Sequence, residues 1–239
     1  NSGQINPSFR HMEQFIQQLI NGLAVGGIYA LVALGYTMVY GVLKLINFAH
    51  GDLFTIGAYL GLTLLVSSNL AGLLTPVGAA IAVFIMVSLF VALIGWILER
   101  AAYRPLRNAN RLSAVVSALG ASIFFVNAIM LIYGARVYVY PEFMRPDFSI
   151  PLLGINVPFM RLLIIAASVI LMVCLWLFIQ RTRMGASIRA VAIDQAASRL
   201  MGINVDRVIS LVFLIGPGLG GAAGLMVGIY YGQIDFTMG

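Results

Sequence analysis

His50 and Asp52 stand two residues apart in Asn47-Phe48-Ala49-His50-Gly51-Asp52, the one stretch of this chain that gathers several polar side chain types in an apolar setting. An imidazole, a carboxylate and an amide so spaced can hydrogen-bond a polar solute or relay a proton. Covalent chemistry finds little support. His11 and His50 are the only histidines, and no HExxH, GxSxG or phosphate-loop pattern occurs. The single cysteine, Cys174, lies in an apolar run, which excludes an internal disulfide and argues against a metal site. No catalytic residue, cofactor or metal is assigned.

The flanks give the stretch its meaning. Phe15 to Leu43 and Leu53 to Ser67 contain no charged residue. Polar groups within a membrane are costly and tend to face a bundle interior or an aqueous path, so Asn47, His50, Gly51 and Asp52 are candidates for a translocation path. Gly51 is expected to let the backbone break, with Asn47 and Asp52 capping the freed ends. A broken helix at membrane depth requires protein or water to satisfy it. The other reading is an ordinary polar turn at the cytoplasmic face, with Lys44 as its interfacial anchor. Spacing alone does not separate the two.

The elements that must position these residues follow from composition. The chain is 61% hydrophobic and 9% charged, with a mean hydropathy of +0.99. Soluble domains carry roughly 25% charged residues, so an integral membrane protein is expected. Apolar runs at 15–43, 53–67, 77–98, 112–133, 162–179 and 208–231 predict an all-α polytopic bundle of about six spans over residues 15–239. Residues 1–14 read as a polar tail, part of it an appended remnant with Met12 as an alternative start, and no signal peptide is expected there. Residues 68–76 read as an uncharged turn. Residues 134–158, with four prolines, read as an ordered outer loop. Ending at Gly239 without a polar tail, the bundle looks unfinished.

Charge sets the orientation. Arg100, Arg104, Arg107 and Arg111 crowd a loop whose only acid is Glu99, and residues 181–207 form a second basic segment. Both should be cytoplasmic, which places the N-terminus outside if 15–43 crosses once. The net charge of +6 is thereby assigned to the membrane surface, and no nucleic-acid partner is expected. Within 181–207, Ala186 to Met201 alternates at helical spacing, and Gly202 and Asn204 should stop it. Its stripe of Ala190, Ile193, Ala197, Leu200 and Met201 suits a partner's groove or, equally, lipid headgroups. Gly216, Gly220, Gly224, Gly228 and Gly232 recur every four residues, one bare helix face for close packing. Leu225, off that face, should tolerate alanine, and Pro217 should kink the helix. Asn127 is expected to join neighbouring helices.

Three motifs carry a resemblance to a family. Gly35-Tyr36-Thr37-Met38-Val39-Tyr40-Gly41 followed by Ile46 to Asp52, Glu99 to Arg107, and Arg183-Met184-Gly185 through Arg189, Asp194, Ala197, Gly202 and Arg207 resemble the permease subunits of bacterial branched-chain amino acid ABC importers. The resemblance spans about Phe15 to Gly239. It implies a multi-pass protein of the bacterial inner membrane, in contact with membrane lipid. It implies a second homologous permease subunit, two cytoplasmic ATPases and an extracytoplasmic solute-binding protein as partners. It also implies further membrane helices after Gly239. It makes 181–207 the counterpart of an ATPase-coupling loop, with Arg189, Ala190, Asp194, Ala197 and Gly202 as the coupling residues. Ile193 stands where the family usually has an acid. Relatives of this family carry urea or short amides, so the solute stays open. An ion-coupled secondary transporter, which should show paired broken helices, and a membrane assembly protein are the competing readings.

Overall fold

The computed structural model describes residues 7–67, 76–107, 110–141, 149–152 and 155–239. Helix α1 (Pro7–Leu43) is followed by α2 (His50–Ser67), α3 (Pro76–Leu98), α4 (Arg111–Tyr133), α5 (Phe159–Arg181), α6 (Arg183–Ile193), α7 (Gln195–Leu200) and α8 (Val205–Tyr231). The strands are small: β1 (Tyr138–Val139) pairs antiparallel with β4 (Gln233–Ile234), and β2 (Ser149–Leu152) with β3 (Ile155–Pro158). The all-α expectation holds, with these ribbons limited to the segment expected to be an outer loop and to the two residues of β4 just after α8. The expected turn at 68–76 lies outside the described residues apart from Pro76, as does the start of the expected N-terminal tail. Residues 7–14 belong to α1 rather than to a tail.

Among the described residues, five helical stretches are long and apolar enough to cross a membrane: His11–Leu43, Gly78–Leu106, Leu112–Tyr133, Phe159–Arg181 and Val205–Tyr231. The sixth expected span, 53–67, falls in α2, which is not among them. It opens with His50 and Asp52 and buries Leu53, Phe54, Ala58 and Tyr59 inside the protein. Its polar first turn is therefore shielded by neighbouring helices. Helix α1 runs unbroken for 37 residues, roughly 55 Å at 1.5 Å per residue, well beyond a hydrocarbon core of about 30 Å.

Helix α8 is the axis of the bundle. Nearly every residue from Gly216 to Gly228 is buried, and α8 packs against α1, α2 and α3 at once. The glycines explain how three helices fit. A Cβ on Gly216 would lie 2.8 Å from the Gly35 carbonyl oxygen of α1, and one on Gly224 2.0 Å from the Phe54 carbonyl of α2. One on Gly228 would lie 2.5 Å from the Tyr140 ring. Gly221, outside the fourfold repeat, faces Val91 of α3, and Gly95 of α3 receives the Pro217 ring. Pro217 sits within the continuous helix.

Four expectations need correction here. Gly232 is not part of the packing face: it caps α8 in the left-handed conformation (φ 72°), and its carbonyl accepts from the Tyr140 amide at 2.9 Å. Leu225 is buried, with its Cδ1 where a Cβ on Gly61 would stand, so its truncation would open a cavity. Asn127 is exposed and donates to the Ile123 carbonyl of its own helix at 2.7 Å, so it joins no second helix. The basic segment 99–111 is no plain loop. The helix continues as a π-helical turn (Glu99–Tyr103) and a 3-10 turn (Arg104–Leu106).

Because the Gly224 site is closed by backbone, which cannot swing away, Gly224→Ala should destabilise the protein by about 2 kcal/mol or more. Gly26→Ala on α1, where the added methyl meets nothing within 4 Å, should be neutral or stabilising by up to about 1 kcal/mol. Thermal denaturation of the two purified variants in detergent checks this, and a Gly224→Ala protein as stable as the parent would refute it.

Candidate translocation site

The break after α1 is made by a lysine. Lys44 adopts φ 55°, an uncommon conformation for a side chain-bearing residue, while its amide still bonds the Tyr40 carbonyl at 2.8 Å. Residues 45–49 are non-helical and α2 begins at His50. Gly51 and Asp52 thus lie within the first turn of α2 and not in the break, contrary to the expectation that Gly51 would open the backbone. The absence of a side chain at Gly51 serves close approach instead. A Cβ there would stand 2.6 Å from the Gly239 carbonyl carbon.

This break returns the chain to depth. His50 Nε2 lies 3.2 Å from the carbonyl oxygen of Val32. Val32 is eleven residues before the end of α1 at Leu43, so His50 stands roughly 16 Å in from that end. The imidazole fills space left by two glycines. Its Cε1 is 3.0 Å from where a Cβ on Gly35 would be and 3.4 Å from one on Gly220. Tyr36 stands edge-on to it at 5.9 Å between centroids. Gly35 and Gly220 were legible as small residues, but only the fold pairs them across one histidine.

The other members of the cluster have distinct anchors. Asn47 is buried; its Oδ1 accepts from the Tyr103 hydroxyl at 2.8 Å, and its carbonyl accepts from the His50 amide at 3.2 Å. Tyr103 packs in turn on Phe213 of α8, at 5.0 Å between centroids. Asp52 is 5% exposed, in the first turn of α2 where a carboxylate complements the helix dipole, and the Ser122 side chain of α4 faces it. All three polar residues nevertheless retain an unsatisfied buried atom: Asn47 Nδ2, His50 Nδ1 and Asp52 Oδ2. Buried polar atoms are nearly always hydrogen-bonded, so three unpartnered ones within six residues single this stretch out. Among the described residues no group of three or more potential metal ligands occurs.

The expected coupling segment is two helices. Asp194 ends α6 and begins α7, its carboxylate accepting from the Ala196 and Ala197 amides at 2.8 and 3.0 Å. The single helix expected over 186–201 is therefore split, because Asp194 is an N-cap as well as an acid. Ala190 is half-buried. Ala197 is exposed, as are Ile193 (86%), Leu200 (90%) and Met201 (83%), an apolar surface without cover. Arg189 reaches back to donate to the Ile179 carbonyl of α5, and Gly202, with φ 81°, makes the turn after α7. Gln195 Nε2 donates 2.7 Å to the carbonyl of Val42 in the last turn of α1, one step from Lys44. The α6–α7 corner thus grips the helix that leads into the break.

One residue that the sequence placed only among surface arginines is internal. Arg107 pairs with Glu99, which is fully buried, and with Asp206 at the start of α8; Ser210 also donates to Glu99 at 2.9 Å. The end of α3 and the start of α8 are thereby tied together. The signal was present in the lone acid among arginines, which needed a partner once buried.

Residues 18–239 match the family model described as branched-chain amino acid transport system, permease component. The chain belongs to that family. The permease is 40% identical over 231 residues to the high-affinity branched-chain amino acid transport system permease protein BraD of Pseudomonas aeruginosa, a match covering 94% of this chain and 74% of the relative. It is 38% identical over 228 residues to LivH of Escherichia coli, with the same coverage. It is 26% identical over 220 residues to a probable LivH of Methanocaldococcus jannaschii, covering 86% and 64%. No solved structure matches. The permease is a multi-pass inner-membrane transport subunit rather than an enzyme.

The Tyr103–Asn47 bond supplies a test of the cluster's construction. Tyr103→Phe removes the donor to Asn47 Oδ1 from a buried side chain whose Nδ2 is already unpartnered, and should cost about 1–3 kcal/mol in stability. Thermal unfolding of the variant checks it; an unchanged midpoint would mean that water replaces the hydroxyl.

Proposed function

We propose that this permease forms the path for branched-chain amino acids or related small polar solutes in an ATP-driven importer, and that Asn47, His50 and Asp52 line it. The observation that carries this reading is the unsatisfied polar trio held roughly 16 Å inside the bundle on a re-entrant break. A solute bearing an ammonium and a carboxylate offers both donors and acceptors to such groups. The N-terminus of α2, opening at that depth, supplies a positive dipole end toward an anionic group. Gly35, Gly51 and Gly220 keep the surroundings narrow. A secondary transporter is less well supported, because a second broken helix is absent among the described residues and Asp52 is the only nearby acid.

In this reading the segments 99–111 and 181–207 face the cytoplasm. Ile193, Ala197, Leu200 and Met201 dock on one of two ATPase subunits, and a second permease and an extracytoplasmic binding protein complete the assembly. Ile193 makes that contact more apolar than an acid would. Force on α6 and α7 passes through Gln195 to the end of α1, and from there through Lys44 to His50.

Two sets of variants test these assignments. His50→Ala and Asp52→Ala should each lower leucine uptake by about tenfold in vesicles of the assembled transporter while expression is unchanged. Normal uptake by both would make the break a structural turn only. Ala197→Trp should leave the permease in the membrane but abolish solute-stimulated ATP hydrolysis. Asp194→Asn, which keeps an oxygen for the cap, should retain ATPase association, whereas Asp194→Lys, which loses both cap and charge, should not. Full ATP turnover by Ala197→Trp would remove this corner from the coupling route.

A further inference from the structure

A cleft of about 500 Å³ lies where the cytoplasmic ends of α3 and α8 meet α6. Arg100 and Arg104 enter it from the end of α3, Arg207 from the first turn of α8, and Met184 from α6. All three arginines are exposed, and among the described residues none is ion-paired. The cleft's one carboxylate, Asp206, is already engaged by Arg107. Arg100 is held over the Trp96 ring at 5.1 Å, so its guanidinium is positioned rather than trailing in solvent.

Away from the arginines the lining turns apolar. Trp96 of α3 and Leu211 and Leu214 of α8 form the inner wall. Leu93 and Ile97, at helical spacing from Trp96 and Arg100, remain exposed on α3, and Leu214 is exposed on α8. These residues belong to the stretches Gly78–Leu106 and Val205–Tyr231, both apolar enough to cross a membrane. Charge at headgroup level and hydrocarbon surface below it therefore share one groove.

We infer that this groove is a binding site for an anionic phospholipid, its phosphodiester among Arg100, Arg104 and Arg207 and its acyl chains along Trp96, Leu93 and Leu214. Basic clefts between membrane helices on the cytoplasmic side suit such headgroups, because three guanidinium groups offer forked donors to phosphate oxygens. A soluble anion would use the arginines but not the apolar wall, and a docking protein would have to descend below headgroup level to reach Trp96. The lipid touches α3, α6 and α8 together, so it braces the α6 end of the α6–α7 corner against the bundle. The inference does not depend on which solute is carried.

Native mass spectrometry of the delipidated transporter, with phosphatidylglycerol or phosphatidylcholine added back, tests it. The parent protein should retain phosphatidylglycerol at least about tenfold more tightly than phosphatidylcholine. The triple variant R100Q/R104Q/R207Q should lose about 10- to 100-fold of that affinity, while R136Q/R161Q should not. Should the triple variant fail to assemble, R100K/R104K/R207K, which keeps the charge, should bind and Trp96→Ala should bind less tightly. Equal phosphatidylglycerol affinity in the parent and the glutamine variant, or equal retention of phosphatidylcholine by the parent, would overturn the site. Displacement by millimolar inorganic phosphate would reassign it to a soluble anion. Loss of the ATPase from the glutamine variant with lipid retention unchanged would make it a protein-docking surface.

Discussion

Backbone-to-backbone contact around α8 is the constraint on which the rest of this bundle depends. In lipid there is little hydrophobic drive between helices, so close packing must come from surfaces that let main chains approach. Gly216 and Gly224 do this against the backbone of Gly35 and Phe54, and Gly57 of α2 against that of Gly221, while Gly221 makes room for the Val91 side chain of α3. The same closeness makes room for His50. A Cβ at Gly35 would crowd its imidazole at 3.0 Å, and one at Gly220 would already touch it at 3.4 Å. Packing and site are one arrangement, so a change at a packing glycine is also a change at the site.

The break shows how polarity is admitted into such a bundle. Its cost is met only in part, by Tyr103 on Asn47, by Val32 on His50 and by the α2 dipole on Asp52. Three unpartnered buried atoms cluster there, whereas Asn21 Oδ1, Tyr59 Oη and Arg107 Nε stand singly elsewhere. Other polar groups that enter the interior are closed off. Tyr140, for example, donates to the Ala58 carbonyl at 2.5 Å, and burial raises its phenol well above the ordinary range, so it stays a neutral donor. It is the clustering of such gaps within six residues that sets the break apart from structural use of the same atom types.

Where the end of α3 meets the start of α8, two linkages hold the elements together. Arg107 joins Glu99 and Asp206, locking α3 to the start of α8, and Gln195 joins the α6–α7 corner to α1. One gives a rigid base. The other ties the α6–α7 corner to the helix that leads into the break. Removing only one partner of the buried Glu99–Arg107 pair would leave an uncompensated charge, which is why that pair behaves as a fixture.

Much was legible without coordinates. Apolar run length determined the helices, because a hydrocarbon core imposes about 20 residues per crossing, and the glycine repeat determined that 208–231 would pack tightly. The polar stretch Asn47 to Asp52 stood out because uncharged sequence surrounds it, and the motifs around it carried the family. Spacing had no access to long-range partners. It placed the break at Gly51, although Lys44 makes it, because a left-handed residue is set by what the two flanking helices demand. It drew one helix through 186–201, because Asp194 reads as a surface acid until its carboxylate is seen capping α7. It read 53–67 as one more apolar span and had no access to the burial of His50 and Asp52 against α1, α8 and α4, which makes α2 an interior helix. Hydropathy along the chain determined what must leave water; only the tertiary contacts decided which polar atoms would find partners there and which would be left open.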